Sequence, residues 1–146
     1  MNLVQIMIAF VLAGITLEVF WTSILNAMKN GDHRKLTGIS YLWMFPIYAT
    51  VPLIILFIMN KFGNLNIFLR AIIYMVSFYA IEYISGYIIK KIMGVSPWNY
   101  RGYYIKIFKK EYKANYKGLI CLEYAPVWYL YGIMGEYFIK FLISLH

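Results

Sequence analysis

The sequence predicts an all-α, polytopic membrane protein, a four-transmembrane-helix bundle with a basic amphipathic cytoplasmic loop between helices 3 and 4. Three observations predict it. Apolar residues make up 62% of the 146-residue chain and charged residues only 14%, against roughly 45–50% and 25% in ordinary soluble domains. A chain this short leaves much of its area exposed, so it cannot hide that much apolar surface from water. The apolar residues gather into four runs of about 20 residues, the length of helix that crosses a bilayer core. The cations fall between the runs, where membrane proteins keep them. By length, residues 1–146 form a single integral membrane domain.

The first run covers residues 3–27. Its start, "MNLVQIMIAFVLAGITLEVFW", has no basic n-region, and no A-x-A-like site closes it, so it reads as a retained span rather than a cleaved leader. The second run, 41–59, carries Pro46 and Pro52; the third is 67–89; the fourth, 119–145, is interrupted early by Pro126. Prolines inside spans read as kinks that packed neighbours tolerate. The turns "NGDHRKLTG" and "NKFGNLN" are short and polar, so successive helices are expected to run antiparallel.

Charge orients the bundle. Lys29, Arg34 and Lys35 lie between the first two spans. Lys90, Lys91, Arg101, Lys106, Lys109, Lys110, Lys113 and Lys117 lie between the last two, so eleven of the fourteen cations share one side. The positive-inside rule makes that side cytoplasmic, with both termini extracytoplasmic and the chain multi-pass in the cell membrane. The net charge of +8 therefore faces the bilayer edge and gives no reason to expect a nucleic-acid partner.

Of the six acidic residues, Asp32 and Glu111 lie in loops, while Glu18, Glu82, Glu123 and Glu136 lie inside spans. An intramembrane carboxylate is costly and normally faces protein or water. Glu18, Glu82 and Glu123 fall about 15, 12 and 8 Å from the cytoplasmic ends of their three spans, at about 1.5 Å rise per residue. Glu82 shares a helical face with Ser85 and Gly86, and Glu18 with Gly14 and Thr22. The expectation is a cytoplasm-facing polar intramembrane site built from Glu18, Glu82, Ser85, Gly86 and Glu123. Such carboxyls can carry a proton, bind a cation, or act as general acid or base. Glu136 lies towards the other face and is expected to form a structural ion pair with Lys140 or Arg70. No metal or cofactor is expected: no span holds a histidine, His33 and His146 lie outside them, and no phosphate loop or dinucleotide fingerprint occurs. Cys121, the only cysteine, reads as a small buried hydrophobe.

The loop before the fourth run contains "YYIKIFKKEYKANYKG". As a helix it is amphipathic, with Lys106, Lys109, Lys110, Lys113 and Lys117 recurring at three and four, the pattern of a segment lying on anionic lipid headgroups. The alternation of Ile105 and Ile107 also permits a hairpin.

The stretches "FPIY", "RAIIY", "EYISGYIIKKIMGVSPWNY" and "GLICLEYAPVW" resemble the ABC-transporter type IV (CmpB-like) family of small membrane proteins, and the transmembrane protein 229 group is similar to the same pattern. The resemblance runs from about Gly14 to Gly135. Its elements here are Glu82, Ser85-Gly86, Pro97-Trp98-Asn99-Tyr100, Gly118-Leu119 and Glu123-Tyr124, with Glu18 matching an acid in the first span. Asn99 stands where the family usually shows Asp, and the loop after Tyr100 is longer and more basic than usual. The resemblance implies a four-span membrane protein. The convergence of three acids near the Trp-Asn-Tyr turn makes the expected function a permease-like carrier of a small solute, cation or proton, with Trp98, Asn99 and Tyr100 folding over the site. A homodimer or an ATPase subunit would enlarge so small a bundle. Two other classes stay open: an intramembrane enzyme acting on a lipid or isoprenoid headgroup, and a membrane scaffolding or regulatory protein whose acids merely pack.

Overall fold

The structure, a computed structural model, describes residues 2–30, 36–100, 104–107, 110–113 and 115–145. For residues 29–30 and the two strands within 104–113 the backbone course alone is described. Among the described residues four α-helices dominate: α1 (Leu3–Asn30), α2 (Met44–Phe62), α3 (Ile67–Met93) and α4 (Ala125–Ser144). Among the described residues, α1, α2 and α3 are long and apolar enough to cross a membrane. α4 has 20 residues but carries Glu136 and Lys140, and it falls outside that set.

Local chemistry sets the helix ends. Asn2 and Gln5 exchange side-chain-to-backbone bonds of 2.9 and 3.0 Å, a reciprocal cap on the first orphan N–H groups of α1. Asn66 accepts the Phe68 N–H at the start of α3, and Gly94, at φ +73°, closes its other end by donating to the Lys90 carbonyl. Glycine adopts that left-handed backbone without a Cβ penalty. At 27 residues, α3 is about 40 Å long, longer than the ~30 Å hydrocarbon core. Lys90 and Lys91, in its last turns, are exposed.

Two of the expected kinks are corrected. Pro46 lies in the first turn of α2 and Pro126 in the first turn of α4. There a missing N–H costs nothing and a fixed φ favours initiation. Only Pro52 stands inside a helix. Consequently α4 begins at Ala125 rather than at residue 119. Residues 120–124 form instead a short strand and a 3-10 turn, Leu122–Tyr124, and Glu123 sits on that turn.

The basic loop is also corrected. It is not an amphipathic helix: β1 (Tyr104–Ile107) and β2 (Lys110–Lys113) form an antiparallel hairpin. A helix would bring its lysines together at three and four, where like charges repel. β-branched and aromatic residues at alternate positions favour strands. The register sets Lys106 opposite Glu111 and Ile105 opposite Tyr112, the pairings of charge and apolar character that stabilise a sheet. A second hairpin joins β3 (Asn115–Tyr116) to β4 (Ile120–Cys121). Its turn is closed by the Leu119 N–H on the Tyr116 carbonyl. Lys117 and Gly118 there have φ of 51° and 74°, as a type I′ turn demands at both central residues.

The chain divides into two compact units, Met1–Leu53 with Leu142–His146, and Ile54–Phe141. In the first, Ile6, Phe10, Tyr48 and Val51 are buried. In the second, α3 and α4 run antiparallel, which three contacts along them fix. Arg70 bonds Glu136, Tyr74 packs on Gly132, and Phe78 meets Trp128. Each four-residue step down α3 is matched by a four-residue step back along α4. A Cβ on Gly132 would stand 2.6 Å from the Tyr74 Cβ, so glycine permits this approach.

Candidate functional site

The buried face of α3 is Arg70, Ala71, Tyr74, Phe78, Glu82, Gly86 and Ile89, mostly at intervals of four, the period of one helical face. It carries one ionisable group near each end and aromatic rings between them. Those two ends differ in chemistry.

At the Arg70 end the charges are matched. Glu136, 1% exposed, accepts from Arg70 Nε at 2.9 Å and Nη2 at 2.6 Å, a two-pronged pair. It also accepts from the Tyr74 hydroxyl at 2.7 Å and from Lys140 Nζ at 2.7 Å. The remaining Arg70 nitrogen, Nη1, donates to the carbonyls of Gly63 and Leu65, so the same guanidinium ties down the turn before α3. The sequence offered Lys140 or Arg70 as partner; both donate. Buried ion pairs hold only when every lone pair and proton is satisfied in this way.

At the Glu82 end they are not. Glu82 is 8% exposed. Its Oε1 accepts from the Tyr100 hydroxyl at 2.9 Å, while Oε2 has no hydrogen-bond partner among the described residues. No described lysine or arginine forms an ion pair with it. The indole of Trp128 on α4 also approaches this carboxylate as a hydrogen-bond donor. Its Nε1–H nevertheless reaches no acceptor at bonding geometry. Burial, then the Glu82 carboxylate, push the Tyr100 phenol above its ordinary pKa, so Tyr100 remains a protonated donor.

Tyr100 is held in place from below. Its N–H donates to the Gly118 carbonyl at 2.9 Å, and its ring stands edge-on to Tyr124 at 5.6 Å. Trp98 Nε1 donates to the Leu119 carbonyl at 3.0 Å, and Ser96 Oγ donates to the Trp98 carbonyl. The Trp98 ring lies over Gly86, where an added Cβ would come within 3.0 Å of it. The Trp98-Asn99-Tyr100 turn is therefore stitched to the second hairpin and rests on α3 one helical turn beyond Glu82. Asn99 itself is exposed.

The other expected members take different positions. The Ser85 hydroxyl bonds back to the Ile81 and Glu82 carbonyls of its own helix, not to the carboxylate. Glu123 is exposed. Glu18 lies in the other compact unit, where its Oε2 accepts from Ser40 Oγ at 2.7 Å and from the Tyr48 hydroxyl at 3.2 Å. Thr22 exchanges bonds with Ile39, and Asn26 donates to the Thr37 carbonyl. Glu18, Thr22 and Asn26 thus form a stripe at four-residue spacing that straps the extended segment 36–40 along α1. Cys121 is free and buried, and burial pushes its thiol up, which suits an inert packing residue.

Of the headgroup lysines, Lys117 is described fully. It donates to the Tyr83 hydroxyl at 3.3 Å, and its ammonium lies 5.9 and 5.4 Å from the Tyr83 and Tyr116 ring centres. Lys109 lies outside the described residues, as do the side chains of Lys106, Lys110 and Lys113. Residues whose roles spacing did not reveal are Trp128, Ser40, Tyr48 and Tyr79, the last donating to the Cys121 carbonyl at 3.0 Å. Trp128 stands within the quoted "GLICLEYAPVW" stretch and Tyr48 within "FPIY"; Ser40 and Tyr79 have no signal beyond being polar-tipped residues in or beside apolar runs.

The sequence matches the family described as "Putative ABC-transporter type IV" over residues 5–146. The chain belongs to this family. Membership and the three apolar helices together make it a membrane protein of transporter type. No solved structure matches it.

Proposed function

We propose that this protein is a permease-like carrier whose polar site is centred on Glu82, beneath the Trp98-Asn99-Tyr100 turn. The proposed arrangement has four spans in the cell membrane, both termini extracytoplasmic and the site open towards the cytoplasm. One observation carries the reading: a carboxylate more than nine-tenths buried keeps an oxygen without a partner among the described residues. Leaving such a group unsatisfied is expensive, and intramembrane acids of this kind mark solute and ion paths. The reading is narrower than a three-carboxylate site, because the Glu18 oxygen is occupied by Ser40 and Tyr48 and Glu123 is exposed.

Lys117, set against the rings of Tyr83 on α3 and Tyr116 on β3, suits contact with anionic headgroups, where aromatic side chains and lysines gather. The family description supports an ATP-binding partner subunit, and a second copy of the chain would supply the further spans a permease needs. The test is complementation in a strain lacking the gene. Glu82→Gln is expected to fail while accumulating to wild-type level, and full complementation would overturn the reading.

A further inference from the structure

A cluster of exposed hydrogen-bond donors lies beside α3, on a face other than the one that buries Glu82. Tyr83, Tyr87, Lys90 and Lys91 recur at three and four residues, so they share one side of the helix. Lys117 reaches that side from the second hairpin. Its ammonium donates to the Tyr83 hydroxyl at 3.3 Å and lies 5.4 Å from the Tyr116 ring centre. The Tyr83 ring stands 6.3 Å from Tyr87 and 5.7 Å from Tyr116, so the three rings form one row.

Among the described residues the three ammoniums meet no carboxylate, since both described ion pairs are made to Glu136. The three phenol O–H groups find no acceptor among them either. Cations and O–H donors side by side fit an anion with several acceptor oxygens, as a phosphate has. Ile84, Ile88 and Ile92, next round the helix, are exposed. An apolar strip along a cationic face fits an amphiphile better than a free ion, because acyl chains cover the strip as well.

The hairpin that carries Lys117 also supports Tyr100. Gly118, the next residue, accepts the Tyr100 N–H at 2.9 Å, and the Tyr100 hydroxyl donates to Glu82. Leu119 accepts from Trp98 in the same way. Whatever holds Lys117 against α3 therefore holds Tyr100 against Glu82. The bond from Lys117 to Tyr83, at 3.3 Å on an exposed side chain, is longer than the usual range and leaves that hold weak.

We propose that anionic phospholipid headgroups bind this patch and control the Glu82 site. Their phosphates join Lys117 on the hairpin to the Lys90–Lys91 end of α3 and so clamp Tyr100 onto the carboxylate. This rests on the proposed membrane arrangement and permease reading, and adds regulation by the surrounding lipid.

The test is hydrogen exchange of the purified full-length protein in nanodiscs of phosphatidylcholine, with and without phosphatidylglycerol. Amides of residues 96–100 and 115–121 are expected to exchange roughly fivefold more slowly with phosphatidylglycerol, the effect of one lysine at an anionic surface. Lys117→Asn removes the charge with a residue that suits a left-handed turn, and is expected to exchange alike in the two bilayers. Lys117→Arg is expected to keep the slowing. Exchange in α4 is expected to stay the same throughout.

Four results would overturn the proposal. One is equal exchange of the wild type in the two bilayers, and another is slowing that Lys117→Asn retains. The third is equal slowing along α4, which would make it a general effect of the bilayer. The last is the same slowing by inorganic phosphate in phosphatidylcholine, which would make the ligand a soluble anion. If the lipids have no effect while Glu82→Gln still fails complementation, the lipid control is wrong and the permease reading stands. Should Glu82→Gln complement fully, the permease reading falls, and control of that site falls with it.

Discussion

One face of α3 meets two carboxyl groups about 18 Å apart along its axis, at Arg70 and at Glu82. Glu136 receives four donors from three side chains. Glu82 receives one from Tyr100 and keeps an oxygen open among the described residues. Burial is nearly the same for the two; satisfaction is not. The difference teaches that burial of an acid does not by itself point to function. Glu136 has the inventory of a structural lock between helices, because removing any donor would strand charge. Glu82 has the inventory of a site that something else completes.

That contrast can be broken most severely at the Glu136 end. Glu136→Leu leaves Arg70 buried without a counter-charge, and unfolding in detergent should show a loss of about 3–5 kcal/mol. Gly132→Leu comes next. With its Cβ 2.6 Å from that of Tyr74, it must push α3 and α4 apart, at about 1–3 kcal/mol, and a wild-type unfolding midpoint would refute the antiparallel contact. Ser40→Ala removes the 2.7 Å bond to Glu18. The expected loss is about 1 kcal/mol, with faster hydrogen exchange in segment 36–40; unchanged exchange would detach Glu18 from its structural role. Smallest is Gly86→Ala. Its Cβ meets the Trp98 ring at 3.0 Å, so a shift in tryptophan emission is expected with stability altered by less than about 1 kcal/mol.

Much of the helical framework was legible because it follows from apolar length and from caps such as Asn66 and Gly94. The misreadings share one cause: a residue type was given its commonest role. Pro126 reads as a kink inside a fourth run, yet proline serves equally well in a first turn. That shifts the start of α4 and places Glu123 in a helix that it precedes. The lysines at 106–117 fit a helical face by spacing, while the alternating Ile105 and Ile107 fit the hairpin that forms. In the site, Glu82 and the Trp98–Tyr100 turn were visible in the sequence. The bonds that distinguish the acids were not. Ser40 and Tyr48 reach Glu18 across 22 and 30 residues, and Trp128 comes to Glu82 only through the antiparallel register of α3 and α4. No local spacing encodes such meetings.

The central claim is that two buried carboxyls on one helix pair do different work. Thermal unfolding of Glu136→Gln and Glu82→Gln, purified in the same detergent and followed side by side, tests it most directly. A large fall in midpoint for Glu136→Gln with an unchanged or raised midpoint for Glu82→Gln is the predicted result. An equal fall for both variants would mean that Glu82 is a second structural lock, and would contradict the account.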